Sequence, residues 1–457
     1  MATWKTVKLG DFLTPYRIEH TIRSDQDYRQ VTISKSGNIS LRGVKSGSKI
    51  GRKRQFQIDL IRYPNTVLFT RQGLLDGAIG IAPSEIDGCV VTENMPMMSV
   101  NTDVVSIEYL RKLLVSDYFF DKVRKLKIVG SAQKSIHERD LLQVELDLPE
   151  KNHQLETIKK FIVLDSEQAQ LVSELAHQQT LLKKLRQQIL QEAIEGKLTA
   201  DWRSQNPDIE PASKLLKRIA TEKAQLVKDK KIKPQKPLPP IKDEEKPFEL
   251  PKGWEWCRLD QLIYESPRNG YSPKTVDFPT NIKTLKLGAT TSGKFDATEI
   301  KYIDEEIAKD SFLWIKNRDI LIQRANSIDF VGVSAIYYGK ENCFIYPDLM
   351  MKLKPVSSIS EIYLHHTLMS FSCREYFRKN ATGSQKSMPK INQNVVSSTL
   401  IPLCSKDEQQ AIVAKVEKLL AICDQLETQI TQNQTHAEQL MQAVLKEAFN
   451  HNSESRG

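Results

Sequence analysis

The chain of 457 residues is poor in cysteine, and its six cysteines (Cys89, Cys257, Cys343, Cys373, Cys404 and Cys423) are scattered with no Cys-x-x-Cys pair. That spacing argues against both a disulfide framework and a structural zinc site. No apolar run reaches the roughly eighteen residues that a membrane-spanning helix needs. The opening Met1-Ala2-Thr3-Trp4-Lys5 lacks a signal-peptide pattern. A soluble, cytoplasmic protein with no membrane partner is expected. A Ser/His/Asp nucleophile signature is missing, as is a glycine-rich dinucleotide loop after a strand. So is the Asn-Pro-Pro-Tyr type of motif that holds a flipped base in amino-methyltransferases. What is present is charge: 66 basic against 57 acidic residues, a net +9 and a pI near 9.0. A polyanionic partner fits that balance. The length calls for two or three domains.

The chain also repeats itself, at an offset of about 250–255 residues. Trp4-Lys5-Thr6-Val7-Lys8-Leu9 matches Trp254-Glu255-Trp256-Cys257-Arg258-Leu259. Val67 to Gly73 matches Ile320 to Asn326, and Cys89 to Thr92 matches Cys343 to Tyr346. These β-branched and aromatic runs, bounded by Gly, Asn and Asp, predict strands. A short helix follows in each copy, at Tyr109-Leu110 with Leu114 and at Tyr363-Leu364 with Leu368. Then comes a small polar loop, Gly130-Ser131-Ala132-Gln133-Lys134-Ser135 and Gly383-Ser384-Gln385-Lys386-Ser387.

Each copy closes on a predicted long helix with a 3.5-residue apolar period. In the second, Ile412, Leu419, Leu426 and Leu440 form one heptad row; Val416, Cys423, Ile430, Ala437 and Val444 form the other. In the first, the seam is Phe161, Leu164, Leu171, Leu175, Leu182, Leu185 and Ile189. Such helices are roughly 50–55 Å long, enough to hold two domains apart. Gln178 and Asn433 interrupt the seams at equivalent positions, and Gln168 is a second break in the first helix. If the helices pair antiparallel about a pseudo-two-fold, Gln178 and Asn433 meet near its axis and fix the register. Between the copies, a helix is predicted from Pro211 to about Lys228. The run from Lys230 to Pro240, with four prolines at its end, reads as a semi-rigid spacer.

Two segments imitate known chemistry. Gly288-Ala289-Thr290-Thr291-Ser292-Gly293-Lys294 has P-loop spacing, but Phe295 stands where a Mg²⁺-binding Ser or Thr belongs. A strand–turn–strand is expected there. His365-His366 could suggest a metal; their repeat equivalents are Arg111-Lys112, so a basic surface face is expected.

Candidate DNA contacts lie in the strand-rich regions. Arg42, Lys45, Lys49, Arg52, Lys53 and Arg54 crowd a Gly/Ser-rich stretch suited to phosphates. Arg71-Gln72 and Arg324 with Asn326 occupy matching strand ends, where Arg could read guanine and Gln or Asn adenine. Arg268-Asn269 forms another polar turn. The twin loops, Gln133-Lys134-Ser135 and Gln385-Lys386-Ser387, suit phosphate contact.

The whole chain resembles the specificity (S) subunit of type I restriction-modification systems. The resemblance rests on Ile189-Leu190-Gln191-Glu192-Ala193-Ile194-Glu195-Gly196-Lys197-Leu198-Thr199, Asp201-Trp202-Arg203, Glu210-Pro211-Ala212 and Pro237-Leu238-Pro239-Pro240-Ile241. It extends to Pro247 through Trp256, to the polar loops and to Glu408-Gln409-Gln410-Ala411-Ile412-Val413. The first copy departs at His153-Gln154-Leu155 and at the inserted Ala132.

The resemblance implies an α+β fold. Residues 1–150 and 251–405 would be target-recognition domains, each reading half of a bipartite site. Residues 151–196 and 406–450 would be spacer helices packed as an antiparallel coiled coil, with 197–250 a central linker and 451–457 a tail. It further implies double-stranded DNA, two modification (methyltransferase) subunits and restriction/translocase subunits as partners. S-adenosylmethionine, ATP and Mg would sit on those partners, with no catalysis and no cofactor in this chain. Two other readings remain open: a stand-alone DNA-modifying enzyme with an unrecognised motif, and a coiled-coil scaffold that binds no DNA. The near-circular layout also predicts close chain ends, so that joining them and reopening near residue 225 should be tolerated.

Overall fold

The computed structural model describes residues 4–51, 54–126, 135–383 and 388–449. The chain divides into two compact units: residues 1–176 with 430–457, and residues 177–429.

In the first unit, Trp4–Lys8 pairs antiparallel with Glu145–Pro149. One four-stranded sheet runs Leu13–Tyr16, Met97–Val100, Val67–Phe69, Ile79–Ile81; a second runs Ile39–Ser46, Asp27–Ile33, Val90–Thr92, Gln55–Gln57. In the second unit, Glu255–Arg258 pairs with Leu400–Leu403. Its sheets run Arg268–Asn269, Met350–Leu353, Ile320–Gln323, Ser334–Ile336 and Thr275–Val276, Ile300–Ile303, Ile282–Leu285, Phe344–Ile345. The first sheet therefore repeats strand for strand.

The second sheet repeats only in part. Both units keep a hairpin with a parallel third strand: Val90–Thr92 beside Asp27–Ile33, and Phe344–Ile345 beside Ile282–Leu285. The fourth strand then differs. Gln55–Gln57 extends the parallel-strand side in the first unit, and Thr275–Val276 covers the opposite edge, Ile300–Ile303, in the second. Consequently Ile39–Ser46 is an open edge while its counterpart is paired on both sides.

A short helix packs beneath each first sheet, and its start is fixed the same way twice. Ser106 caps Ile107–Leu113 and Ser360 caps Glu361–Met369, each side chain accepting from the amide three residues on. Each cap serine's own amide is held by a glutamine from the first turns of a long helix. Ser106 N donates to Gln154 Oε1 (2.8 Å) and Ser360 N to Gln409 Oε1 (2.9 Å). Both glutamines are fully buried. Gln154 Nε2 returns to Pro149 O and Gln409 Nε2 to Cys404 O, so no buried polar atom of either amide goes unpaired.

The long helices are Lys151–Ile194 and Lys406–Ala448. Within each unit their segments run antiparallel. In the first, Phe161 stacks on Phe449 at 5.8 Å between ring centres, while Leu164, Met441 and Val444 join the same core. In the second, Arg186 pairs with Asp424 and Glu427, and Thr199 and Arg203, beyond the helix end, reach back to Glu408.

One heptad row per helix is covered along its length, and the other only in part, where Ile412 is buried and Leu164 and Leu419 are half-buried. Phe161, Leu175, Leu182 and Ile189 are buried, with Gln168 half-buried in the same row; Val416, Cys423 and Ile430 are buried, with Ala437 and Val444 half-buried. The other row drifts to the surface: Leu171, Leu185, Leu426 and Leu440 are exposed. Gln178 and Asn433 belong to that outer row and are exposed as well. The seam predicted from sequence is thus corrected to one row covered along its length, whose polar interruption in the first helix is Gln168. Exposed in this way, neither Gln178 nor Asn433 has the burial of a polar seam residue that fixes a register.

The linker is also corrected. Residues Ala212–Lys228 form the predicted helix, but Leu215 and Ile219 are buried in the core of the second unit with Leu259 and Leu262. The proline run is strapped onto the same unit. Gln235 Nε2 donates to Asp260 Oδ1 (3.1 Å), and buried Arg258 donates to Pro239 O (3.0 Å) and pairs with Glu245. Lys223 Nζ donates to Asp260 O (2.7 Å), and burial holds its ammonium below the usual lysine range.

Residue 225 lies inside that docked helix, whereas Lys230 sits in a left-handed turn (φ 58°) at its end. Val7, Leu445 and Phe449 share one core. A permuted chain, with ends joined and reopened between Lys230 and Lys233, is expected to melt within a few degrees of the parent. Reopening at 225 is expected to lower the melting temperature by far more, and differential scanning calorimetry distinguishes the two.

Candidate nucleic-acid interface

The open edge strand Ile39–Ser46 carries the basic cluster of the first unit. Gly43 faces Gln30 and Leu41 faces Val31, so Arg42 is the extra residue of a β-bulge. Bulges re-aim the side chain they carry. Gly43 takes φ +135°, with open space where a Cβ would sit, a conformation that favours glycine. Leu41 and Val44 are 44% and 66% exposed, and Arg42, Lys45 and Lys49 are exposed beside them. None of these three cations has an ion pair among the described residues. An unpaired edge bearing apolar side chains invites association unless charge or a ligand covers it. Here the charge is present and aimed outward. Arg54, also exposed, stands 3.9 Å from Glu19, a loose pair. Arg52 and Lys53 lie outside the described residues.

Arg71 behaves differently. Its guanidinium bonds Glu138 through Nη2 (2.9 Å) and Nε (3.2 Å), with only 14% and 11% of the two side chains exposed. Arg17 adds a bond to the same carboxylate (2.8 Å). Burial alone would raise the Glu138 carboxyl, but its own backbone amide and the two arginines hold it below the usual range. The sequence reading of Arg71 as a base contact is therefore corrected: it clamps the segment that follows the first polar loop. Gln72 is exposed and Ser135 half-buried; Gln133 and Lys134 lie outside the described residues.

In the second unit, Arg268 pairs with Glu265 (3.0 Å) and lies over the Phe312 ring. Asn269 is on the same edge strand, with its Oδ1 buried and unbonded among the described residues. Arg324 donates to Asp348 O (3.3 Å). The Asn326 amide is used internally, donating to Gln323 Oε1 (2.6 Å) and accepting from Ser327 N. Gln385, Lys386 and Ser387 lie outside the described residues. Lys301 and Lys283, which the sequence reading did not count among the candidates, stand on the hairpin equivalent to the basic edge; Lys301 is exposed and Lys283 faces Tyr302. Their alternation with Thr284 and Tyr302 was the available signal.

The P-loop-like segment is a long connection of that same hairpin. It contains the short helix Gly288–Thr291 rather than the expected strand–turn–strand. Buried Gln323 bonds Leu287 O, Thr290 Oγ1 and Thr291 Oγ1, and Lys294 pairs with Asp424 (3.2 Å). His365 and His366 are likewise corrected. They point inward, with His365 Nδ1 3.1 Å from Ser334 Oγ. Burial pushes the two imidazoles down to about 3 and about 4, the second ring adding to the effect on the first. They are neutral interior groups and form no basic face. Five of the six cysteines are buried, and burial pushes the Cys373 thiol up to about 12, far from a reactive thiolate.

The same frame is thus built twice in the chain, and its fold has a counterpart among solved structures. A chain from a solved type I R-M system superposes with a TM-score of 0.54 over 98% of both chains, at 17% identity. Residues 251–434 match the family model of the type I restriction modification DNA specificity domain. The chain is similar to the type I restriction enzyme EcoEI specificity subunit of Escherichia coli, 35% identical over 271 residues covering 58% of this chain and 45% of that protein. Its similarity to the EcoAI specificity subunit of the same organism is 37% over 248 residues, 53% of this chain and 40% of that one. The matches thus span about half the length of these relatives. The likeness to type I specificity subunits read from the sequence holds.

Proposed function

We propose that this chain is the DNA-reading subunit of a type I restriction-modification complex. Each unit reads one half of a bipartite double-stranded site. Two modification subunits and restriction/translocase subunits assemble on it, and they hold S-adenosylmethionine, ATP and Mg. The chain itself performs no bond-making step and works in the cytoplasm. The observation that supports this most is the repeated frame with unlike edges: the first sheet and the glutamine clamps recur, while the edge of the second sheet is open and basic in one unit and covered in the other. A frame that must stay symmetric and surfaces that must differ are what an asymmetric two-part site requires.

Reversing Arg42 and Lys45 to Glu is expected to weaken duplex binding at least tenfold. It should also lower the slope of log affinity against log salt by about 0.9 per lost phosphate contact. Fluorescence anisotropy across a salt series measures both. Unchanged slope and affinity would remove the basic edge from the interface.

A further inference from the structure

The two arginines at equivalent strand ends sit in the same backbone frame. Ile136 N donates to Arg71 O and Ile391 N to Arg324 O, both at 2.9 Å. Arg71 N donates to Asn94 O and Arg324 N to Leu349 O. His137 and Asn392 are the N-caps of the next short helices, Glu138–Leu141 and Gln393–Ser397. The frame therefore places Glu138 and Gln393 at equivalent positions. In the first unit the acid neutralises Arg71. In the second a neutral amide replaces it, and Arg324 has no acid partner among the described residues. Its Nε is shielded with no acceptor among the described residues, and a carbonyl 3.3 Å away takes one further donor.

A guanidinium offers five donors in a rigid fork, and a shielded, under-bonded one is costly unless a ligand supplies acceptors. The fork matches the geminal oxygens of a phosphate. Resting on the DNA-reading role proposed above, we infer that Arg324 grips a backbone phosphate of the DNA, while Arg71 in the equivalent place is an internal clamp. The two units thus hold the duplex unequally: an anchoring arginine in one has become a structural pair in the other.

The test uses the full chain and a random-sequence duplex, read by anisotropy over a salt series with a thermal melt of each variant. Arg324→Gln is expected to weaken binding roughly tenfold, to lower the salt slope by about 0.9 and to leave the melt unchanged. Arg71→Gln is expected to lower the melt and leave the slope unchanged. Gln393→Glu, which installs the first unit's acid, is expected to weaken binding as Arg324→Gln does. Combined with Arg324→Gln it should add nothing further. If Arg324→Gln fails to fold, Gln393→Glu carries the test, and wild-type binding by it overturns the inference. Equal slopes for the Arg324 and Arg71 variants also overturn it. A wild-type chain with no salt-dependent binding overturns both this inference and the DNA-reading role.

Discussion

Replacing Glu408 by Leu is expected to cost the second unit about 3–5 kcal/mol, the usual penalty for stranding one partner of a buried charge pair. Glu408 is 1% exposed and anchors three groups at once. Arg203 pairs with it, Thr199 Oγ1 donates to Oε1 (2.8 Å), and Trp254 Nε1 donates to Oε2 (2.8 Å). Arg203 also lies over the Trp254 ring and donates to Gly196 O. The end of one long helix, the start of the other and the first strand of the domain thus meet on one carboxylate. Removing it leaves a guanidinium, a hydroxyl and an indole N–H without their acceptor. Removing both charges is milder: Glu408→Leu with Arg203→Leu should recover more than half the loss, as apolar replacements of buried pairs often do. Urea unfolding of the single and double variants gives the coupling directly. A Glu408→Leu variant within about 1 kcal/mol of the parent would contradict the role assigned here. The first unit has His153 in the equivalent place, against Trp4, so the effect belongs to the second unit alone.

Acid is expected to unfold the second unit first. His365 and His366 share its interior, their rings 5.9 Å apart, beside Ser334 Oγ and with no acid bonded to them among the described residues. The unfolded chain protonates both imidazoles as pH falls through 6.5; the folded unit takes up those protons only near 3 and 4. Stability is therefore complete above pH 6.5 and declines as pH falls toward 4. The loss is on the order of 3 kcal/mol for each imidazole by the lower end. The first unit has Arg111 and Lys112 at these positions, and neither is buried. Trp202, Trp254, Trp256 and Trp314 all belong to the second unit, so tryptophan fluorescence follows it. A urea midpoint that falls steeply between pH 7.5 and 4.5, and flattens in His365→Asn/His366→Asn, is the expected result. A midpoint equally acid-sensitive in the variant would show that other groups carry the effect.

What was legible in the sequence was whatever repeats or caps locally. The tryptophan segments, the strands around Leu68 and Leu321, the short serine-capped helices and the central helix ending at Lys228 follow from composition and spacing over a few residues. What was not legible depends on partners far along the chain. Arg71 and Arg324 look alike in sequence, and only the acid 67 residues beyond Arg71 separates a clamp from an arginine with no acid partner among the described residues. The two heptad rows look equally apolar, because periodicity shows which residues share a row and not which row the partner helix covers. His365-His366 matched a basic pair in the repeat, yet the helix presents them to Ser334 and a sheet. The proline run has the composition of a solvated spacer, but Gln235 and Pro239 find partners in Asp260 and Arg258.

In the proposed function, two unlike surfaces on one repeated frame read two halves of one DNA site. The most direct measurement is to map methylated adenines in a host that carries this chain with the modification subunits proposed to assemble on it. It is then repeated after residues 251–405 are exchanged for those of a relative. The expected result is a site in two short parts separated by unread base pairs, with only one part altered by the exchange. An uninterrupted site, or an exchange that alters both parts or neither, would contradict the account.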